Sequence, residues 1–345
     1  MNETIKSLAS NPEWAWELKP NVSKYVLTRG QVAWALANAF LTPHIKWGYM
    51  NWERLRNSQH PLAIQRLKCL YDYFERVQKE WTPLQMNESC IEYEHVKQLE
   101  FDYAHVKKDQ IGKNLNVVIH EERMENISDC SDTAVIDFAN SNLHIHQIIP
   151  SVTQEELLFS ICSECFLGLA LFPNEMKDDE CIVFRNVWCH VEYTGYDLGF
   201  MYVGPAKQTQ KLLNIIAIDA SQTNQYYQTE RDIRKAYLGF NACIHCDAIS
   251  TGNWGCGAFG GNPTFKFLQQ ILAAQWANKR TLRYSTFGNT KQKVAFVNLW
   301  NHLQKIEGLT WEWLFNVLCQ YCSTSAASKS FEEYFAAEML YEELK

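Results

Sequence analysis

Hydrophobic residues recur at helical spacing through the N-terminal third of the chain. Residues 27–41 and 61–78 each repeat apolar side chains every three or four positions, which predicts two helices. Tryptophans at positions 14, 16, 47 and 52 supply bulky side chains for packing. This pattern predicts a helical domain over residues 1–110.

From about residue 114 onward, short β-branched runs alternate with helical segments. The predicted strands are residues 116–120, 133–138, 181–187, 212–218 and 282–287. The predicted helices are residues 153–170, 229–239, 263–278, 291–304, 310–321 and 331–344. Such alternation is typical of an α/β layer architecture. We therefore predict an α/β domain over residues 111–345, packed directly on the helical domain because no Ser/Gly-rich linker separates them.

Composition and charge narrow the class of protein. Hydrophobic residues make up 47% of the 345 residues and charged residues 21%, which is a globular composition. The net charge of −7 argues against a nucleic-acid-binding face, which needs clustered basic residues. No apolar run approaches the roughly 20 residues that span a bilayer, and the N-terminus lacks the apolar core of a signal peptide. We expect a soluble protein of the cytoplasm or nucleus that is not secreted and binds neither DNA nor membranes directly.

The twelve cysteines include three CxxC pairs, at residues 162/165, 243/246 and 319/322. Two of the pairs fall in predicted helices, where this spacing puts both thiols on one face. Two pairs that met in space could hold zinc, with His245 as a further ligand. We favour the alternative of buried free thiols, because apolar helices collect cysteines without metal. No metal site is expected.

A glycine-rich segment, TGNWGCGAFGG at residues 251–261, stands directly before a predicted helix. Its five glycines allow sharp turns and a close approach of the backbone to a ligand. Asn262 is a suitable N-cap and Pro263 suits the first helical position. A glycine loop that leads into a helix N-terminus directs free N–H groups to one place, which favours phosphate oxygens. The embedded Trp254 argues against a purely solvated loop.

Polar residues follow an apolar strand at Asp137 and Asn140. Ligands of α/β sheets gather at the carboxyl ends of strands, so these two side chains are candidates for ligand binding. Further along, EYTGY places Tyr196 beside a glycine turn, where its ring can stack on a base.

The triplet QEE at residues 154–156 opens a predicted helix. Ser151 and Gln154 fit a capping box, and Glu155 and Glu156 suit the first helical turn with or without a ligand. Adjacent Glu side chains cannot both face one bond from a regular helix. If the triplet is catalytic, one carboxylate acts and the other holds substrate.

These segments together resemble the poly(ADP-ribose) glycohydrolase family. The glycine loop matches the family's diphosphate loop essentially letter for letter, and IDFAN, QEE, EYTGY, IDA and TFG follow in the family's order over residues 116–288. The resemblance implies an α/β fold of the macrodomain type, with a mixed sheet flanked by helices and an N-terminal helical accessory domain. It also implies hydrolysis of ribose–ribose O-glycosidic bonds, with release of ADP-ribose from poly(ADP-ribose) or an ADP-ribosylated protein. No cofactor is expected.

The resemblance assigns roles to residues by motif position. Glu156 would be the catalytic acid/base, which protonates the leaving ribose oxygen and then deprotonates the attacking water. Glu155 would hydrogen-bond the ribose hydroxyls, and Asp137 would act with it at the scissile ribose. The implied substrate-binding residues are Asn140 at that ribose, Gln154 in the loop, Tyr196 against the adenine, Asn253, Gly255, Gly257, Ala258 and Gly260 around the diphosphate, and Phe259 and Phe287 along the ribose pocket.

One departure from the family stands before QEE. Three consecutive glycines are replaced by His144-Ile145-His146, and side chains there would enter the space of the diphosphate and distal ribose. The histidines either place imidazoles near a phosphate or act as extra acid/base groups, or they are partly exposed residues of a strand-like segment, which is the interpretation we favour. Our main hypothesis is nevertheless an active glycohydrolase, because QEE and the glycine loop are both present. The alternatives are a catalytically inactive ADP-ribose-binding or scaffolding protein, as part of a larger assembly, and an enzyme for a different ADP-ribosyl bond.

Overall fold

The computed structural model describes residues 2–19, 22–98, 109–127, 131–143, 145, 153–221, 226–323 and 330–344. Within these residues the helices are α1 (Asn2–Ser10), α2 (Arg29–Leu41), α3 (Trp52–Asn57), α4 (Pro61–Glu80), α5 (Pro83–Glu88), α6 (Gln154–Ile161), α7 (Gly168–Leu171), α8 (Tyr226–Ala242), α9 (Pro263–Trp276), α10 (Thr290–Leu303), α11 (Trp311–Ser323) and α12 (Phe331–Glu343). The strands are β1 (Lys24–Thr28), β2 (Lys46–Trp47), β3 (Met50–Asn51), β4 (Cys90–Lys97), β5 (Asn116–His120), β6 (Thr133–Ala139), β7 (Glu180–Trp188), β8 (Val191–Thr194), β9 (Met201–Pro205), β10 (Leu212–Asp219), β11 (Ala248–Thr251) and β12 (Thr281–Ser285). None of these helices is long and apolar enough to cross a lipid bilayer.

The chain divides into two compact units, each assembled from distant segments. The first unit comprises Met1–His95, Ala139–Met176 and Ile182–Ile215. The second unit comprises Val96–Phe138, Lys177–Cys181 and Ile216–Lys345. The domain boundary at residue 110 was inferred from sequence pattern and motifs, and it stays a prediction.

The first unit contains α1–α7 and strands in the order β1-β4-β7-β10, with β10 contributing only its first half. The helices predicted at residues 27–41 and 61–78 are found as α2 and α4. Thr28 caps α2, its hydroxyl accepting from the Gln31 N–H at 3.2 Å, so the helix begins at Arg29. Strands β1 and β4, which pair antiparallel, were not predicted in this mainly helical region.

The second unit contains α8–α12 and strands in the order β10-β6-β11-β12-β5, with β10 contributing its second half. Strands β6, β11, β12 and β5 run parallel to one another. Almost every residue of β6 is buried, as expected of a parallel strand covered on both faces. Parallel and antiparallel pairs both occur, so the predicted α/β class with a mixed sheet flanked by helices is confirmed.

Candidate active site

Three neighbouring parallel strands of the second unit end at one edge of the sheet. β11 pairs in parallel register with β6 on one side and with β12 on the other. Because parallel strands bring their carboxyl ends to the same edge, the residues that follow them lie close together. Asp137 near the end of β6, the glycine loop (residues 252–261) after β11 and Phe287 after β12 therefore share this edge.

The glycine loop is anchored by one buried side chain. Trp254 is fully buried, and its indole N–H donates to the Ile218 carbonyl at 3.0 Å. The Gly261 N–H donates to the Gly255 carbonyl at 3.0 Å, which closes the loop. The predicted N-cap at the end of the loop is confirmed, because the Asn262 side chain accepts from a backbone N–H of α9. The backbone of the loop is therefore fixed from within.

Its outer segment presents backbone rather than side chains. Gly257, Ala258 and Gly260 are exposed, and Phe259 is half-buried. A Cβ at Gly257 or Gly260 would meet nothing within 4 Å, so open space lies beside this backbone. Such a surface is suited to the phosphate oxygens of a ligand. The assignment of these residues to a diphosphate, and of Phe259 to a ribose wall, remains a prediction.

Asn253 is held by two residues that the sequence did not point to. The Gln292 side-chain amide donates to Asn253 Oδ1 at 2.7 Å and accepts from Asn253 Nδ2 at 3.1 Å. The Tyr284 hydroxyl also donates to Oδ1, at 3.1 Å. Asn253 is therefore fixed in one orientation by β12 and α10.

A buried ion pair underlies the same loop. Lys266 and Asp232 are each 1% exposed, and the Lys266 ammonium bonds to the Asp232 carboxylate. The ammonium lies 5.0 Å from the centre of the Trp254 ring, within cation–π range. Lys266 was missed because its partner is 34 positions away and nothing in the sequence links the two. The Lys266 ammonium therefore lies beneath the predicted diphosphate loop with its charge balanced by Asp232.

Alanine substitutions at two glycines of this loop separate the effect of backbone strain on stability from the effect of an added side chain on ligand binding. Gly255 has φ +73°, and a Cβ there would lie 2.7 Å from Ala220 Cβ. Gly255→Ala is therefore expected to destabilise the protein by about 1–2 kcal/mol, the cost of a left-handed residue with a side chain. Gly257→Ala should leave the unfolding midpoint unchanged and weaken ADP-ribose binding. Urea unfolding and calorimetry measure the two effects, and equal unfolding midpoints for both variants would contradict the strain argument.

Glu155 contacts Asn140 within the first unit. Glu155 is 1% exposed, and its Oε2 accepts from both the backbone N–H and the side-chain amide of Asn140 at 3.4 Å. The structure therefore brings together the first Glu of QEE and the polar residue that follows β6. Both were predicted at the scissile ribose, and that role stays a prediction.

Glu156 begins α6 as part of a capping box. The Thr153 backbone N–H donates to Glu156 Oε2 at 2.9 Å, and the Thr153 hydroxyl donates to the same oxygen. The sequence predicted a box of Ser151 and Gln154, which is wrong for Gln154 because the third helical position is Glu156; Ser151 lies outside the described residues. Both bonds use Oε2, which leaves Oε1 for other chemistry.

Tyr196 lies beside the start of the same helix. The residue is 41% exposed, so part of its side chain is accessible to a planar ligand. Partial burial raises the pKa of Tyr196, and the negative charge of Glu156 raises it further, while a hydrogen bond to the Gln154 backbone lowers it. The structure thus gathers Gln154, Glu156 and Tyr196, three of the residues assigned by resemblance.

Arg66 is a neighbour of Glu156 that the sequence did not indicate. It lies on α4, is 2% exposed, and its Nε donates to the Ser160 hydroxyl at 3.4 Å. Ser160 in turn donates to the Glu156 carbonyl at 2.7 Å. Burial lowers the pKa of Arg66 to about 10, although the Glu156 carboxylate raises it. A guanidinium is therefore held behind the N-terminal turn of α6.

The segment that replaces the glycine triplet is described only at its centre. Ile145 is fully buried, so its side chain belongs to the core of the first unit. His144 and His146 lie outside the described residues, so a role near a phosphate, in acid/base chemistry or in a strand-like segment stays a prediction for them.

The first unit also aligns a serine, a histidine and an aspartate. Ser163 Oγ lies 3.0 Å from His190 Nε2, and His190 Nδ1 lies 3.0 Å from Asp72 Oδ2. This order matches a nucleophilic triad. Ser163 and His190 are fully buried, however, and Asp72 is 7% exposed, so a substrate does not reach the serine. The arrangement is a structural hydrogen-bond chain.

From the hydrogen-bond chain of Ser163, His190 and Asp72 we expect the protein to lose stability in acid. Burial lowers the pKa of His190, although Asp72 raises it, so between about pH 7 and pH 5 this histidine takes up a proton in the unfolded chain but not in the folded protein. The free energy of unfolding therefore falls as the pH falls through this range. Burial opposes ionisation of Asp72, but His190, Arg76 and Tyr202 outweigh it and lower its pKa, which adds a loss below about pH 4.

We expect the His190 contribution to approach about 1.4 kcal/mol per pH unit. Urea unfolding between pH 5 and 8 should show a flatter pH dependence for His190→Gln than for the wild type. His44→Gln is the control, since the His44 side chain is 88% exposed. An unchanged slope in His190→Gln would contradict the argument.

The CxxC pairs do not form a metal centre within the part of the chain that the structure describes, where no group of three or more His, Cys, Asp or Glu side chains could hold an ion. Cys243 and Cys246 are buried with sulfur atoms 3.1 Å apart. The Lys279 ammonium donates to both of their carbonyls, at 2.9 and 2.7 Å. This cysteine turn is therefore held by a buried lysine.

Several curated proteins to which this chain is similar are poly(ADP-ribose) glycohydrolases. Poly(ADP-ribose) glycohydrolase 1 of Caenorhabditis elegans is 27% identical, in an alignment that covers 80% of this chain and 38% of that protein. Poly(ADP-ribose) glycohydrolase 2 of the same organism is 27% identical, in an alignment that covers 67% of this chain and 51% of that protein. Probable poly(ADP-ribose) glycohydrolase 2 of Arabidopsis thaliana is 24% identical, in an alignment that covers 79% of this chain and 62% of that protein. The chain thus spans less than two thirds of the length of each of these relatives.

The chain is also similar to a solved structure and to a family model. Poly(ADP-ribose) glycohydrolase from Deinococcus radiodurans in complex with ADP-ribose aligns at 18% identity and a TM-score of 0.37, over 58% of this chain and 90% of that one. The family model described as poly(ADP-ribose) glycohydrolase (PARG), macro domain fold, matches residues 101–294, more than half of the chain. The chain therefore belongs to the poly(ADP-ribose) glycohydrolase family, as its motifs predicted.

Proposed function

We propose that the protein hydrolyses the ribose–ribose O-glycosidic bonds of poly(ADP-ribose) and releases ADP-ribose. Family membership supports the substrate class. The observation that carries the proposal is the start of α6, where Glu155, Glu156 and Tyr196 are held together. As further parts of the same proposal, the protein acts in the cytoplasm or nucleus and binds neither DNA nor membranes directly.

In the proposed mechanism Glu156 transfers the protons. Its Oε2 is bound by Thr153, so Oε1 is the atom we assign to the reaction. Protonated Oε1 gives its proton to the leaving ribose oxygen as the C–O bond breaks and an oxocarbenium-like centre develops. The carboxylate then takes a proton from the water that attacks this centre. Glu155 meanwhile holds the ribose hydroxyls.

Calorimetric titration of ADP-ribose into the protein, followed by a polymer-cleavage assay, tests this function. We expect micromolar binding and release of ADP-ribose from the polymer. Binding without release favours the second candidate, a binding or scaffolding protein, which is supported by the replacement of the family's glycine triplet with His144-Ile145-His146. No binding at millimolar ADP-ribose would overturn both ligand-dependent functions.

A further inference from the structure

A cleft of about 220 Å³ lies in the first unit, and none of its lining residues belongs to the predicted site. Three tryptophans line it: Trp16 before β1, Trp34 on α2 and Trp47 on β2. All three indoles are half-buried, whereas Trp52 beside them is fully buried. Three aromatic faces around one open cleft form the kind of exposed apolar surface that marks a ligand site.

The walls of the cleft are fixed without a ligand. The Trp16 indole N–H donates to the Gln31 carbonyl at 3.2 Å. The Trp47 ring packs edge-on against Trp52, with ring centres 5.2 Å apart. Trp34 lies within the regular helix α2. A planar ligand therefore meets positioned rings, and little side-chain ordering is needed on binding.

Asn38 and Thr42 are the two polar residues among those that line the cleft, and Asn38 gives the cleft a hydrogen-bond preference. Asn38 uses its amide nitrogen to donate to the Ala9 carbonyl at 3.0 Å and to the Trp34 carbonyl at 2.9 Å. Both N–H groups are thereby occupied, which leaves the Asn38 amide oxygen as an acceptor. Among the described residues that line the cleft, none carries a charged side chain. The preferred ligand is an uncharged planar ring that carries an N–H donor.

We propose that this cleft is a subsite for an adenine base, with the adenine amino group donating to Asn38 and the ring stacking on indole. A volume of about 220 Å³ is below the range of clefts for drug-sized ligands, so it suits a single ring system rather than a whole ADP-ribose unit. The inference rests on the proposed function for the polymer, in which every repeat carries an adenine. It adds a second point of attachment, remote in sequence from QEE.

The test uses adenosine as the probe and the full chain labelled with 5-fluorotryptophan. We expect adenosine to shift the fluorine resonances of Trp16, Trp34 and Trp47, each assigned by its substitution with phenylalanine. Inosine has a carbonyl in place of the amino group and should bind about tenfold more weakly. Shifts confined to other tryptophans, or equal binding of adenosine and inosine, would overturn the proposal.

Variants separate this subsite from the rest of the protein. Ala39→Phe fills the cleft and should abolish the three shifts. Leu18→Lys should weaken adenosine binding without repacking the core, because Leu18 lines the cleft and is 52% exposed. Val26→Lys is the matched control, since Val26 is 54% exposed and does not line the cleft. The proposal would be contradicted if adenosine still shifted the three tryptophan resonances in both Ala39→Phe and Leu18→Lys.

The experiment distinguishes failure of the subsite from failure of the proposed hydrolysis. If the polymer is not cleaved but adenosine shifts the three resonances, the proposed function fails and the subsite stands. If cleavage occurs and the resonances do not move, only the subsite fails.

Discussion

Replacing Glu156 with glutamine is expected to slow hydrolysis of poly(ADP-ribose) by about 10²–10⁴-fold, the usual contribution of a general acid/base. Gln serves at the third position of a capping box as well as Glu does, so the Thr153 N–H keeps its acceptor and α6 keeps its start. The amide cannot supply a proton to the leaving ribose oxygen. Activity should therefore fall while the unfolding midpoint and ADP-ribose affinity stay unchanged, as polymer cleavage, urea unfolding and calorimetry would show.

Two further variants show which function of Glu156 is being measured. Glu156→Ala removes both the acid/base and the cap, and we expect an added loss of about 1 kcal/mol in unfolding free energy. Glu155→Gln keeps Glu156 and should chiefly weaken substrate binding, because Glu155 is assigned to the ribose hydroxyls. Full polymer cleavage by Glu156→Gln would mean that the residue is only a helix cap.

Strands were predictable where apolar and β-branched residues form a continuous run, and not where the run is short or charged residues alternate with it. β5 and β6 were predicted to within one residue, since their β-branched runs are continuous. β4 was missed because Glu92 and Glu94 alternate with its apolar positions, and β1 because its short apolar run, residues 25–27, leads directly into the helix predicted from residue 27. In the structure Lys24 bonds to Glu92 across these strands at 2.8 Å, so charges on the two strands pair with each other.

The predictable part of the site was the part with local causes. The loop and the helix after it are predicted by neighbouring residues: the closely spaced glycines, the N-cap Asn262 and Pro263 at the first helical position. By contrast, the buried cations Lys266 and Arg66 contact groups 34 and 94 positions away. A buried charge is tolerated through its three-dimensional partners, which no short window of sequence contains.

The helix predicted at residues 153–170 is interrupted for a related reason. α6 ends at Ile161, a tighter helical turn follows over residues 163–167, and α7 begins at Gly168. Glu164 in that turn is fully buried and bonds to Arg29, and its Oε2 accepts from the Trp188 backbone N–H at 2.7 Å. The turn directs this carboxylate into a polar network inside the first unit.

Removing the Glu164 carboxylate is expected to lower the free energy of unfolding by about 3–5 kcal/mol, because Arg29 would be left as a buried charge without its anion. Glu164→Leu and Arg29→Met should each show this loss in urea unfolding. The double variant should recover much of it, since an apolar pair replaces a buried ion pair at little net cost. The exposed pair of Arg280 and Asp247 is the control, and breaking it should cost less than about 1 kcal/mol. Additive losses in the double variant would contradict the coupling of Arg29 to Glu164.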